Sequence, residues 1–299
     1  MLTLISWNIQ RGRGPDGRCS SARTVADLLA LADPDVLCLQ EVSAGYTDLA
    51  GCDGADQFSE LARLLPGYTP AAAYASDLLG EVDAHGGAAA GAAAGACRPR
   101  RRFGCMILSR LPVLQVFRHS LPWPADPLVM SMQRVALEVT LDTPLGLLRV
   151  TTTHLEYFSA LQRAAQVDRL REQHEEAARH ARQPGPGGAG AGPFGATPRA
   201  AQAVLAGDFN FAPRSADYQR LLRRFRDSTR AYVDAWPLAN GRRAHAPTVC
   251  LHDQPQRSAD PHTSDFVFVS EDLARRVARL DVDAADFGPD HQPLLFRLA

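Results

Sequence analysis

The stretch Val204-Leu205-Ala206-Gly207-Asp208-Phe209-Asn210-Phe211 constrains this chain more than any other. An apolar run climbs to a glycine and then presents an acid and an amide two residues apart. In extended backbone, Asp208 and Asn210 point to one face and Phe209 to the other. A carboxylate able to hold water or metal then lies beside a neutral amide that can bind a phosphate oxygen without repelling it. Taken alone, Gly207-Asp208-Phe209-Asn210 reads more readily as a strand running into an Asp/Asn turn. Its meaning depends on how many other apolar runs end the same way.

Several do. Residues 2–9 form a short β-rich run ending in Trp7-Asn8. Ser20 or Ser21 can cap a helix in which Val25, Leu28, Leu29 and Ala32 recur at helical spacing, and Asp33-Pro34-Asp35 stops it. Val36 to Leu39 reads as a buried strand with Gln40-Glu41 at its end. A helix fits 56–65 and a strand 68–74. Strands also fit 103–109, 113–118, 132–141 and 146–154, the last closing on Thr153-His154. Ser159 can cap a long charged helix to about residue 181. After the strand ending at Asp208 come a helix at 215–224, strands at 265–269, near 277–283 and at 293–298, and a short helix from Glu271. Residues 84–97 are almost entirely Gly and Ala, and 184–198 are rich in Pro and Gly. Polar strand ends fall on both sides of each, so these read as loops inserted in one domain spanning residues 1–299. Strands and helices mixed in this way predict a layered α/β (α+β) domain.

Composition narrows the partners. The 299 residues can bury a sizeable core, and a net charge of -1 gives no overall pull on polyanions. All 32 basic residues are arginine, so nucleic-acid affinity requires a local arginine patch. No segment has the roughly 18 to 20 apolar residues needed to cross a membrane. The N-terminal stretch reads as a strand, without a basic region or cleavage site. The six cysteines, at 19, 38, 52, 97, 105 and 250, show no CxxC pairing. Reduced thiols in a cytoplasmic monomer are the expectation.

Seven places carry polar groups at or just beyond apolar runs: Asn8, Glu41, Arg134, His154, Asp208 with Asn210, Asp265, and Asp290-His291. Each has a plainer explanation: a solvated strand end, a turn former, a satisfied core histidine, a rim charge. Asp265 resists it, because an acid directly before Phe266-Val267-Phe268-Val269 is poorly placed for strand formation. Together the groups form a chemical inventory. Glu41 is a hard oxygen ligand of the kind Mg²⁺ takes, one or two at a time, alongside substrate phosphate. Asn8 and Asn210 can bind a phosphodiester without adding charge. Asp265 and His291 can form a carboxylate–imidazole dyad, and His154 and Arg134 can meet charge developing on phosphorus. That set suits hydrolysis of a phosphate ester.

The motif order Trp7-Asn8-Ile9, Leu39-Gln40-Glu41, Gly104 to Arg110, Thr153-His154-Leu155, Gly207-Asp208-Phe209-Asn210, Ser264-Asp265-Phe266 and Pro289-Asp290-His291-Gln292-Pro293 resembles the endonuclease/exonuclease/phosphatase family across residues 3–297. The resemblance implies a deoxyribonuclease-I-like fold, a four-layer α/β/β/α sandwich with its site at one edge. It implies that Glu41 binds Mg²⁺ or Mn²⁺, assisted by Asn8 and Asp290. It implies that Asp208 and Asn210 place the attacking water and the phosphate. His291, held by Asp265, would act as general base or stabilise the phosphate, and His154 would help with charge on the phosphate or leaving group. Two departures stand out: Pro261-His262-Thr263-Ser264 replaces a basic residue and an isoleucine, and Pro289 replaces a serine. The carboxylate that would orient His154 is open among Glu81, Asp83 and Glu138.

The resemblance implies a metal-dependent phosphodiesterase or nuclease, and equally admits a small-molecule or lipid phosphoesterase. Arg98 to Arg102, Arg223-Arg224-Phe225-Arg226 and Arg242-Arg243 can track a nucleic-acid backbone or be solvated surface. The apolar loop Leu121-Pro122-Trp123-Pro124 with Leu128-Val129-Met130 can touch lipid or pack on its own domain. A catalytically inactive phosphate-binding module is the remaining alternative, and the complete acid/amide/histidine set argues against it.

Overall fold

The chain's two ends build one β-sheet and its middle builds another. A computed structural model describes residues 1–80, 99–186, 192, 194, 195, 197–252, 260–285 and 287–299. In chain order the elements are β1 (Leu2–Asn8), α1 (Ser21–Leu31), β2 (Val36–Ala44), α2 (Gln57–Leu64), β3 (Thr69–Leu79), β4 (Arg100–Ser109), β5 (Val113–Ser120), β6 (Val135–Thr143), β7 (Gly146–His154) and α3 (Ala160–Arg182). They continue with β8 (Ala203–Asp208), α4 (Ala216–Leu222), β9 (Tyr232–Asp234), α5 (Ala235–Asn240), β10 (Asp265–Ser270), β11 (Val277–Val282) and β12 (Leu294–Leu298). The first sheet runs β11-β12-β1-β2-β4-β3 and the second β5-β6-β7-β8-β10-β9. In each, one central pair is parallel, β1 with β2 and β7 with β8, and the remaining pairs are antiparallel.

The sheets pack face to face over a shared core that joins Leu4, Cys38 and Ile107 to Val139, Val150 and Val267. The outer face of the first sheet packs on α1 and α2 through Ile5, Leu37, Leu28 and Leu61. The outer face of the second packs on α3 and α4 through Leu205, Phe268, Val167 and Leu221. Each central strand is therefore buried on both sides, which is why β8 and the first half of β2 read as unbroken apolar runs rather than alternations. The result is an α/β/β/α sandwich. No described helix is long and apolar enough to cross a membrane.

Helix starts follow the local capping chemistry. Ser20, not Ser21, caps α1 by accepting from Arg23 N, Asp56 caps α2, and Ser159 caps α3 through Gln162 N. Several elements differ from the sequence reading. The strand ending at Gln40-Glu41 continues as β2 to Ala44, because a bulge between Leu39 and Val42 absorbs Glu41 without ending the pairing to β4. β6 starts at Val135, leaving Arg134 just outside it. The helix from Glu271 is a 3-10 turn to Arg276, and the mixed stretch after α4 contains β9 and α5. Glu81, Asp83 and the Gly/Ala stretch 84–97 lie outside the described residues, as does part of 184–198.

Candidate active site

Strand register assembles the centre of the site. Asp208, last residue of β8, sits opposite His154 on parallel β7 and opposite Asp265 on antiparallel β10. Three polar side chains at matching positions on adjacent strands stand side by side on one face. Phe209 turns the other way, fully buried against Phe211 and Phe268 at ring centroid distances of 5.2 Å and 5.0 Å. Burying a ring of this size contributes roughly 1.5–3 kcal/mol, enough to hold the strand against slipping register. Gly207 permits the close approach: at φ 145°, a Cβ there would lie 2.0 Å from Thr153 O.

Asp208 is the hub. His154 Nε2 lies 3.4 Å and His291 Nε2 3.6 Å from Asp208 Oδ2, and Asn8 Nδ2 donates to the same oxygen at 3.1 Å. The other oxygen, Oδ1, accepts from Asn210 N at 3.0 Å. Burial pushes the Asp208 carboxyl up; the Asp265 charge adds to this, while His291 and the Asn210 and Asn8 hydrogen bonds oppose it, leaving it at about 6. His291 Nδ1 meets Asp265 Oδ2 at 2.9 Å. Burial works against its protonation, but Asp265, Asp208 and Asp290 together hold its imidazolium well above the ordinary range. Asp265 is itself pinned, accepting from Thr248 Oγ1 at 2.6 Å and Ser264 Oγ at 3.3 Å. Trp7 Nε1 donates to His291 O at 2.9 Å and ties the histidine to the first sheet.

The first sheet contributes Asn8 and Glu41. Asn8 Nδ2 reaches Glu41 Oε1 at 3.2 Å as well as Asp208, so one amide links the two carboxylates across the sandwich. Both its N–H groups are thereby engaged, and its Oδ1 accepts from Gln10 N. Gln10 Oε1 in turn accepts from Asp290 N at 3.3 Å. Arg11 donates to Glu41 Oε2 at 3.2 Å. Gln10, Arg11, Glu41 and Asn210 all have φ between 44° and 62°. Non-glycine residues in that region cost on the order of 1–3 kcal/mol each and concentrate where side chains must be aimed.

On the opposite rim, Arg134 Nε pairs with the fully buried Glu156 Oε2 at 3.1 Å. Glu156 Oε1 accepts from Phe158 N. Asn210 Nδ2 donates to Leu155 O at 2.9 Å, which leaves its second N–H and its carbonyl for a ligand. Arg11, Glu41, Arg134, His154, Asp208, Asn210 and His291 line one cavity of about 600 Å³, whose remaining wall includes Tyr46, Leu78, Phe103, Tyr157 and Phe158.

Glu138 does not orient His154. It lies opposite Thr151 on β7 and is taken up by Arg149 at 3.0 Å and Arg199 at 2.8 Å. Arg11 and Thr248 were not singled out from the sequence, because they sit in stretches without periodicity. Glu156 stood out only as part of Thr153-His154-Leu155-Glu156, which with Gln162-Arg163 and Gln166 resembles a bacterial metal-dependent hydrolase branch, and its pairing with Arg134 was not legible there.

The donor set suits a cation. Asp208, Asp265 and His291 each place a ligand atom within 4.8 Å of one another. Glu41 lies beyond this trio, joined to it through Asn8, and already holds a positive group, the Arg11 guanidinium. Carboxylate oxygens in a buried cleft with room for phosphate fit a hard divalent ion.

Comparison with known proteins agrees with this fold. An endonuclease/exonuclease/phosphatase from Beutenbergia cavernae DSM 12333 aligns over 100% of this chain and 72% of its own, with 24% identity and a TM-score of 0.60. A mannosyl-6-phosphatase from Bacteroides thetaiotaomicron VPI-5482 aligns over 100% of both chains, with 16% identity and a TM-score of 0.64. Truncated Caenorhabditis elegans TDP2 aligns over 100% of this chain and 97% of its own, with 19% identity and a TM-score of 0.61. Curated protein sequences gave no match. The Endonuclease/Exonuclease/phosphatase family profile matches residues 5–287, almost the whole sandwich, and the chain belongs to that family.

Proposed function

We propose that this protein is a divalent-cation-dependent hydrolase of phosphoester bonds, acting on phosphodiesters. The observation that carries the reading is the convergence of His154, His291 and Asn8 on one carboxylate oxygen of Asp208, with Glu41 joined through the same Asn8 amide. Glu41 is the principal cation ligand, with Asn8 and Asp290 beside it. The cation, Mg²⁺ or Mn²⁺, supplies positive charge to a phosphate oxygen.

The chain's own groups do the rest. Asp208, with a carboxyl near 6, is ionised at neutral pH and takes the proton of a water held with Asn210. His291, kept protonated by its carboxylates, donates to a phosphate oxygen rather than serving as the base. His154 donates on the other side of Asp208, and the guanidinium nitrogens of Arg134 not held by Glu156 face charge on phosphorus.

The cavity wall favours a small-molecule or lipid phosphoester over nucleic acid. Tyr46, Leu78, Phe103, Tyr157 and Phe158 give it an apolar and aromatic side. Several of the arginines that could track a polyanion are paired or line another cleft. Arg100 pairs with Asp77 and Arg101 with Asp48. Arg223, Arg224 and Arg226 border a separate cleft that also holds Asp168, Glu172 and Glu175. Arg98 lies outside the described residues.

One panel tests the reading: bis-nitrophenyl phosphate, sphingomyelin, plasmid DNA and RNA, each with Mg²⁺, Mn²⁺ or chelator. Turnover of at least one substrate, abolished by chelator, is expected, and Glu41→Gln should demand more metal for half-activation. Cation-independent turnover, or an unchanged activation curve in Glu41→Gln, overturns it.

A further inference from the structure

Outside the phosphate site, the loop at 13–19 and the loop at 49–54 meet edge to edge. Cys19 N donates to Gly51 O at 2.9 Å, and a Cβ at Gly51 would fall 2.2 Å from Gly17 O, so the two backbones touch. That contact brings Cys19 Sγ within 3.3 Å of Cys52 Sγ, although the residues are 33 apart in sequence. A disulfide bond is about 2 Å long, so little more than an ångström of movement closes it. Both sulfurs line a polar cavity of about 240 Å³, with Ser43, Gln57 and Glu60. A small peroxide fits there, since a water molecule's share of liquid volume is about 30 Å³. Cys38, Cys105 and Cys250, by contrast, are buried.

The two thiols are inequivalent. The hydrogen bond between the two sulfurs lowers the Cys52 thiol to about 7, opposed by burial and aided by the Arg11 charge and by hydrogen bonds with Ser43 and Arg11. The same hydrogen bond and burial push Cys19 up. Cys52 is therefore the sulfur that carries negative charge near neutrality, and the thiolate is the nucleophilic form.

We propose that Cys19 and Cys52 form a reversible thiol–disulfide pair, closed by a peroxide, with Cys52 as the attacking sulfur and Cys19 as the resolving one. The Cys52 thiolate attacks one peroxide oxygen and the O–O bond breaks. Sulfur is oxidised to sulfenic acid, and the leaving hydroxide takes the proton that the thiol released. Cys19 sulfur then displaces the sulfenic oxygen, which departs with the Cys19 proton as water. Two thiols and one hydrogen peroxide become one disulfide and two waters.

Arg11 connects this pair to the phosphate site. Its guanidinium donates to Glu41 Oε2 and also stabilises the Cys52 thiolate. A cation taken by Glu41 displaces the guanidinium, which the thiolate can receive and a disulfide cannot. Oxidation therefore weakens cation binding. This consequence rests on the proposed function; the cross-link does not.

The test uses the full chain. Reduced protein is treated with stoichiometric hydrogen peroxide, alkylated, digested without reductant and analysed by mass spectrometry, and Mn²⁺ binding to both forms is measured by calorimetry. Expected are a Cys19–Cys52 linked peptide, lost on dithiothreitol treatment, and Mn²⁺ binding about fivefold weaker after oxidation, at the low end of coupling between sites. Cys19→Ser should give no cross-link and leave a Cys52 sulfenic acid trapped by dimedone. Arg11→Gln should cross-link yet lose the Mn²⁺ difference. Folded protein that yields no such peptide, or that links either cysteine to Cys97, overturns the pair. A cross-link with unchanged Mn²⁺ affinity overturns the coupling to Glu41. Mn²⁺ binding to neither form defeats the proposed function and leaves the pair standing.

Discussion

Asp265 holds His291 through a 2.9 Å contact between Oδ2 and Nδ1, leaving Nε2 aimed at Asp208 3.6 Å away. The three groups come from β10, the loop before β12 and β8, so only the finished sandwich joins them. A carboxylate fixed on one ring nitrogen settles which nitrogen faces substrate.

The kinetic consequence is non-additivity. Asp265→Asn and His291→Ala should each lower kcat by about 10²–10⁴-fold, the usual range for a proton-transfer group. The double variant should be barely worse than His291→Ala, because Asp265 acts through the histidine. Steady-state rates on any phosphodiester turned over decide this. Effects that multiply would mean there is no dyad.

The pH profile carries a second expectation. Asp208 must be ionised to accept a proton, so kcat/KM should fall about tenfold per unit below about pH 6. His291 must keep its proton, so activity should fall again on the alkaline side, above the ordinary histidine range. Asp265 raises both groups. Asp265→Asn should therefore move both limbs of the profile to lower pH. A profile whose limbs stay in place would remove Asp265 from the electrostatics of the site.

Glu156 offers a test of the rim. It is fully buried, paired with Arg134, and accepts from Phe158 N. Glu156→Ala strands a cation at the cavity wall and should cost about 3 kcal/mol, the lower end for one lost partner of a buried pair. Urea unfolding measures the loss, and KM should rise with it. Unchanged stability would show that Arg134 finds another partner.

Acid sensitivity has a separate origin beneath α3. His174 accepts from Arg149 at 2.6 Å through Nδ1 and donates to Arg230 O at 2.8 Å through Nε2. Burial, and then the Arg149 charge, lowers it to about 3. The unfolded chain binds a proton at this residue below about 6.5 that the folded chain refuses until about 3. The associated stability is complete above about 6.5 and drains away as pH falls, by about 1.4 kcal/mol per unit. His174→Gln should flatten unfolding free energy against pH by that slope. An unchanged slope would place the acid sensitivity elsewhere.

Much of this architecture was legible in the residues because the strands are long apolar runs whose polar ends carry chemistry. Asn8, His154, Asp208 and Asp265 occupy strand ends; register brings the last three together, and the face-to-face packing of the sheets adds Asn8. Glu41 was recognised for a reason the structure changes: it sits in a bulge inside β2, and the bulge rather than a strand end turns its carboxylate toward Asn8. Arg134 was visible as a charge, but its anchor lies 22 residues on, and only the pairing of β6 with β7 makes them neighbours. Thr248 and the Cys19–Cys52 approach depend on loop closures that no periodicity encodes.

The antiparallel pairing of β1 with β12, from Leu2 opposite Leu298 to Ser6 opposite Leu294, places the first and last strands side by side. The order of the strands along the gene is thus not dictated by the sandwich. A short linker can join the present ends, and the chain can be reopened elsewhere, with every strand keeping its neighbours. Because Asn8 and His291 stand on opposite sides of that seam, sealing it would connect the two groups through residues 1–8, the linker and residues 291–299 instead of through the whole middle of the polypeptide.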